Sequence, residues 1–299
     1  MRFQFHQLGI RSARFWYISI ISLIGCIVVV LVPPYQSPDE QTHLYRAYQL
    51  SEGTLLARKL SYGAGDVLPT SLSKSFDSYY YLLFQPEKKL DINKHRVSLN
   101  EKLNPQIRSE TRFENTAPYP PFSYIPQVVG ISFGKIFSAN PVVLLYLARF
   151  ANLISWVLIL WLCMKRQPHT SLALFAFALL PIVIFQSASA SADVMTAGAS
   201  ILFTLEAIRQ ATFKGAITKK DKILLLALGS FLALCKLPYI LLTLLVFAIP
   251  NNKFGTKKKA WQFKLISVVI PIFIATLWMI ISYKSFVNLR AIADTPVQL

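Results

Sequence analysis

Polar and apolar positions along this chain alternate in blocks the length of membrane spans rather than with the short period of strands. The charge-free run from Phe15 to Val32 is long enough to cross a bilayer. Arg2, Arg11 and Arg14 precede it, so it reads as a first transmembrane helix at 15–32 behind a cytoplasmic N-terminus at 1–14. It is too long for the usual core of a signal peptide, and no small-residue cleavage site follows it. A polar segment at 33–118 comes next, with acids and bases nearly balanced, and reads as an irregular extracytoplasmic loop. The remaining apolar runs are Val142–Cys163, Leu172–Ser187, Val194–Ile208, Ile223–Cys235, Leu237–Ile249 and Leu265–Tyr283. They make a membrane bundle at 119–284, followed by a polar tail at 285–299.

The stretch from Phe122 to Phe137 is only moderately apolar, carries Gly130 and Gly134, and follows the cluster Pro118-Tyr119-Pro120-Pro121. If it spanned, Lys165-Arg166 and every later basic linker would face outward. If it lies in the interface or re-enters, all the short basic linkers are cytoplasmic, as the positive-inside rule requires. The pattern therefore predicts an all-α, polytopic transmembrane bundle of about seven spans with a large first extracytoplasmic loop. The arms Ile223–Cys235 and Leu237–Ile249 are each about 20 Å long at ~1.5 Å per residue, shorter than the ~30 Å hydrocarbon core. Their bend at Lys236 and Pro238 is expected to be recessed.

Composition agrees with a membrane protein: 54% of the 299 residues are hydrophobic and the mean hydropathy is +0.45. The net charge of +17 sits in linkers between apolar runs, which argues for cytoplasmic loops and anionic-lipid contacts and against a nucleic-acid groove. Cys26, Cys163 and Cys235 all lie in apolar runs, so neither a disulfide framework nor thiolate metal ligation is expected.

The most informative polar stretch is Ser37-Pro38-Asp39-Glu40-Gln41-Thr42-His43-Leu44-Tyr45-Arg46. Ser37 suits an N-cap, Pro38 the first helical position, Glu40 a capping box, and Gly53 a stop, predicting a helix over 38–52. Asp39, His43 and Arg46 would then share one face. Capping accounts for Glu40, which makes it the weakest functional candidate of the group. The same residues also suit a capped interfacial helix with solvated charges. Further on, Tyr79-Tyr80-Tyr81 reads as packing or interface anchoring, with a sugar platform as the alternative.

Within the apolar runs, Arg149 lies ~10 Å along its helix at ~1.5 Å per residue, with Asn152 on the same face. A central arginine costs at least ~2.5–3.5 kcal/mol on insertion scales and needs a partner or a wet cavity. Snorkelling or pairing with a helix acid is the alternative account. Lys236 at the hairpin bend poses the same question, and Asp193 also suits the first turn of a helix. On the predicted topology Asp39, His43, Arg46, Arg149, Asp193 and Lys236 all approach the outer boundary, a distribution that suits a phosphate carried on a lipid. An ion conduit would instead need polar residues through the whole membrane depth.

The stretches Pro38-Asp39-Glu40 with His43, Arg46 and Gly53, Tyr119-Pro120 with Tyr124-Ile125-Pro126, Ala148-Arg149 with Asn152, and Gln186 with Ser189, Ser191 and Asp193 carry a resemblance. From about Phe15 to Tyr283 the chain resembles a bacterial family of predicted membrane proteins, domain-of-unknown-function family 2142. More broadly it resembles the GT-C superfamily of integral-membrane glycosyltransferases. That likeness implies a GT-C-like core in which Asp39, with Glu40 adjacent, is the catalytic acid of the first loop and Asp193 is a second acid. Arg149 becomes a phosphate-binding arginine. The implied activity is sugar transfer from a polyprenyl-phosphate donor at the outer face of the bacterial cytoplasmic membrane. Asp39 would activate the acceptor hydroxyl while Arg149, Lys236 and Arg46 hold the phosphate. Asp193 would orient His43 or the acceptor, or help hold a divalent cation if one is used. Relatives in the superfamily continue beyond seven helices, so a partner subunit supplying further helices is also an expectation. The alternatives are a non-catalytic binder or transporter of a lipid-linked envelope precursor, and a truncated partner subunit.

Overall fold

The computed structural model describes residues 2–283, with side chains from residue 13 onward. The polar tail expected at 285–299 and the side chains of Arg2 and Arg11 lie outside the described residues. Two compact units divide the described residues: unit 1 comprises 2–25, 153–187 and 192–278, and unit 2 comprises 26–152, 188–191 and 279–283.

The chain opens with helix α1 (Arg2–Leu31) and α2 (Glu40–Ser51), then strands β1 (Arg58–Leu60) and β2 (Gly63–Pro69). After α3 (Thr70–Asp77) and α4 (Ile92–Asn100) comes β3 (Arg108–Arg112), then α5 (Ile125–Ile136) and α6 (Pro141–Arg166). The remainder is α7 (Ser171–Ala178), α8 (Pro181–Ser187), α9 (Asp193–Thr212), α10 (Lys219–Cys235), a 3₁₀ stretch over Leu237–Ala248, and α11 (Lys257–Ser282).

Among the described residues three helices are long and apolar enough to cross a membrane: Ala13–Leu31 within α1, α6 and α11. A fourth is reached if α7 and α8, bent by 87° at their break, count as one broken span. The expected count of about seven is not reached on length and apolarity, for physical reasons that differ by element. Helix α9 is ~30 Å long at ~1.5 Å per residue, but Glu206, Arg209 and Gln210 dilute its hydropathy. The expected second arm of the hairpin is not an α-helix. As a 12-residue 3₁₀ stretch it covers ~24 Å at ~2.0 Å per residue, where an α-helix would cover ~18 Å. Its partner α10 covers ~25 Å, so the bend is less recessed than equal α-helical arms would make it.

Unit 1 is helical. Trp156, Leu160, Cys163 and Met164 of α6 pack with Ile21, Leu174, Ala178 and Val194 in one apolar core. Phe203, Ala207, Leu225, Val246, Phe254 and Ala260 make a second. Antiparallel α9 and α10 are tied at both ends. At one end Arg209 meets Asp221 at 2.6 Å, where Glu206 also receives Arg166 of α6 at 2.8 Å; at the other Lys236 meets Asp193 at 3.0 Å. The basic linkers at Lys214–Lys222 and Lys253–Lys259 lie at the first of these ends, where Lys253 donates to the carbonyls of Gln210, Ala211 and Phe213 and caps α9.

Unit 2 contains more regular structure than expected for the polar segment. β1, β2 and β3 form an antiparallel sheet in that order, with Arg58 opposite Gly65 and Gly65 opposite Arg112. Gly65 is required there, because a Cβ would stand 2.0 Å from the carbonyl oxygen of Thr111. Helix α2 packs on α5, and α5, at 12 residues, is ~18 Å long, short of the ~30 Å hydrocarbon core. Its glycines let it approach α6: a Cβ on Gly130 would lie 2.4 Å from the carbonyl oxygen of Leu147. Backbone cannot yield as a side chain can, so Gly130→Ala is expected to lower stability by ~1–3 kcal/mol. Thermal unfolding in detergent measures this, and an unchanged midpoint would show that the two helices are not in contact.

Candidate functional site

The expected N-cap of α2 is displaced. Ser37 and Pro38 precede the helix, Asp39 occupies the cap position with a left-handed backbone (φ 56°), and its side chain makes no capping bond. Asp39 is exposed whereas His43 and Arg46 are buried, so the three do not share a face. Glu40 is also not a capping-box acid. Its carboxylate receives Arg149 Nε at 2.8 Å and Nη2 at 2.6 Å, the amide of Tyr35 at 3.0 Å and that of Ala190 at 3.0 Å. The weakest sequence candidate is thus the most heavily engaged acid of the segment.

Arg149 is equally saturated. Its other N–H groups donate to the carbonyls of Val29 at 3.1 Å, Val32 at 2.7 Å and Pro33 at 2.9 Å. A guanidinium has five N–H donors in a fixed fork, and all five are used. Both side chains of the pair are fully buried. Val29 belongs to the last turn of α1, whose end carbonyls lack helical partners and carry partial negative charge. Arg149 therefore caps the first span and pairs with the acid that starts the next helix. It has no donor left for a phosphate, which counts against the ligand role expected for it.

The rest of the polar cluster in unit 2 holds the turn 188–191. Asn152 donates to the carbonyls of Ser189 at 2.7 Å and Ser191 at 2.9 Å. Gln127 donates to Asn152 Oδ1 at 3.1 Å and to Ser191 O at 2.8 Å. His43 Nδ1 meets the Tyr124 hydroxyl at 2.8 Å, and its Nε2 meets Ser191 Oγ at 3.3 Å. Arg46 points elsewhere, donating to Gln49, to the Leu55 carbonyl at 2.8 Å and to the Tyr119 carbonyl at 3.0 Å. Its counter-charge is reached through Gln49, which donates to Asp66 at 2.7 Å. Burial pulls the Arg46 pKa down to about 10, still charged at neutral pH.

Asp193 and Lys236 lie together in unit 1, at a cavity of about 240 Å³. Its walls are largely apolar and aromatic (Trp156, Phe177, Ile182, Val183, Val194, Tyr239), and its polar groups include Gln186, Asp193 and Lys236. Gln186 Nε2 reaches Asp193 at 3.3 Å and Lys236 Nζ reaches it at 3.0 Å. The bent pair α7–α8 lines the cavity, which is where interrupted membrane helices are tolerated. Trp156 is 2% exposed, and its indole N–H has no hydrogen-bond partner in the protein, a donor waiting for an acceptor. Among the described residues no group of three or more His, Cys, Asp and Glu is placed to hold a metal ion.

Residues that sequence reasoning left out include Tyr35, Gln49, Asp66, Gln127 and Trp156. Gln127 had a signal, a glutamine inside an apolar helix; Tyr35 contributes its main-chain amide, which no residue type announces. For the ion pair, Arg149→Met is expected to cost ~3–5 kcal/mol by stranding a buried carboxylate. Adding Glu40→Gln should recover a substantial part of that loss. If the two single variants are additive to within ~0.5 kcal/mol in thermal unfolding, they are not energetically coupled.

Comparison with curated proteins and with solved structures returns no match. A family profile described as that of a predicted membrane protein (DUF2142) matches residues 22–298. The match covers most of the chain, and the protein belongs to that family.

Proposed function

We propose that this membrane protein binds a polyprenyl-phosphate-linked sugar in the unit 1 cavity and transfers the sugar at the outer face of the bacterial cytoplasmic membrane. One observation carries the reading: an apolar, aromatic-walled cavity that holds a lysine, a carboxylate, a carboxamide and an unpartnered indole N–H together. Such a lining matches a ligand that is hydrocarbon at one end and anionic at the other. Lys236 supplies the cation for the phosphate, sharing its ammonium with Asp193, and Trp156 offers a neutral donor. The positive-inside rule supports the sidedness: the basic linkers of unit 1 gather at the end of α9 and α10 opposite Asp193 and Lys236.

Asp193, the carboxylate of this cavity and the partner of Lys236 at 3.0 Å, is the base for the acceptor hydroxyl in this reading. Arg149, with all five donors used, acts as a structural cation and not as a phosphate ligand, and Arg46 keeps only its Nε without a partner. That reduction in available cations favours a second reading, a binder of the lipid-linked precursor without turnover.

The test uses the purified chain in nanodiscs with a labelled polyprenyl-phosphate sugar. Lys236→Ala is expected to weaken binding about 10–100-fold, the loss of one charge-assisted hydrogen bond. Trp156→Phe should weaken it by a smaller factor. Asp193→Asn is expected to reduce transfer by ~10²–10⁴-fold. Binding indifferent to Lys236 and Trp156 would remove the cavity from the mechanism, and binding without transfer in the parent chain would establish the second reading.

A further inference from the structure

The tyrosine run is divided by the fold. Tyr79 is buried and meets His95 Nδ1 at 2.7 Å and the Tyr35 ring at 5.9 Å. Tyr80 is 62% exposed, and Phe84, just beyond, is 90% exposed. Phe84 also has φ 58°, a left-handed backbone that is a genuine outlier for a bulky side chain. Glycine would serve the turn better, so turn geometry does not explain the phenylalanine. An aromatic ring that is both strained and in water points to something outside the chain.

We infer that Phe84 and Tyr80 form an anchor that inserts into a bilayer surface containing anionic phospholipid. Three observations select the bilayer over a protein. Tyr35, four residues past the end of the first span, holds this segment through its ring contact with Tyr79 and a 2.9 Å hydrogen bond to Ser75. Five residues of chain reach no more than ~17 Å, so Phe84 stays within that distance of Tyr79, close to where the chain leaves the membrane. The flanking sequence is basic: Lys88, Lys89, Lys94 and Arg96 against Glu87 and Asp91. Asp91 is withdrawn as the N-cap of α4, while Lys88 and Lys89 are exposed, suited to phosphate head groups beside an inserted ring.

The experiment places a photo-crosslinker at the ring, Phe84→p-benzoylphenylalanine, in the full chain in nanodiscs of phosphatidylcholine with or without phosphatidylglycerol. After irradiation the peptide carrying position 84 is analysed by mass spectrometry. Lipid adducts are expected in both, several-fold more abundant with phosphatidylglycerol, and Lys88→Glu with Lys89→Glu should erase that difference. Absence of lipid adducts, or adducts only to protein such as a second copy, overturns the inference. Phe84→Gly relieves the backbone strain and is expected to leave the thermal midpoint unchanged or raised. A fall in the midpoint would make the ring a packing residue and equally overturn it.

Discussion

A carboxylate and a guanidinium removed from water must satisfy each other completely, and unit 2 is organised around meeting that condition for Glu40 and Arg149. Removing one member of such a pair costs several kcal/mol, because the survivor is left charged and unsolvated. Satisfying both requires more partners than either side chain offers the other. The carbonyls of Val29, Val32 and Pro33 take the remaining guanidinium donors, and the amides of Tyr35 and Ala190 take the remaining carboxylate lone pairs. These groups belong to the last turn of α1, the loop after it, and the turn at 188–191. Segments 150 residues apart in sequence are thereby fixed to one point.

The same saturation decides which cations remain for chemistry. A phosphate could compete for Arg149 only by displacing bonds whose loss would strand Glu40 or the end of the first span. Arg46 is held by Gln49 and two carbonyls, and its charge is balanced at one remove by Asp66. Lys236 differs in kind. Its side chain is 33% exposed, its carboxylate partner 40%, and the pair borders a cavity, so the ion pair is exchangeable at modest cost. The functional reading consequently rests on Lys236, and Arg46 and Arg149 become the reason that the polar elements of unit 2 hold their places.

What was legible in the sequence follows from the range of the signals involved. Apolar runs announced α1, α6 and α11 because burial in lipid is a local compositional requirement. Arg149 and Lys236 were singled out on the cost of a cation in an apolar run, and both are paired, Arg149 with Glu40 and Lys236 with Asp193. Their partners were not legible. Capping explained Glu40 so well that its long-range role had no reason to be suspected, since Arg149 lies 109 residues away. The sheet was missed because its central strand, Gly-Ala-Gly-Asp-Val-Leu-Pro, lacks the β-branched alternation that marks strands, and Gly65 is there for steric clearance. The 3₁₀ stretch at Leu237–Ala248 is as apolar as an α-helix would be, and periodicity does not separate the two over a dozen residues.

Backbone strain separates the residues that the clasp explains from one that it does not. Tyr35 and Asp39 both adopt left-handed conformations, each costing ~1–2 kcal/mol for a residue with a side chain. The amide of Tyr35 donates to Glu40 and its hydroxyl bonds Ser75, so bonds that exist only in this conformation offset its strain. Asp39 precedes Glu40 directly and is carried into place by it. Phe84 has the same conformation without a comparable return: its ring is almost wholly exposed, and the neighbouring turn bond, from Gln85 to Leu82 at 3.2 Å, would form with glycine in its place. Strain that the fold itself repays is a folding device. Where the fold repays none, as at Phe84, the compensating contact has to come from outside the chain, and for an aromatic ring near the end of a membrane span the bilayer surface supplies it.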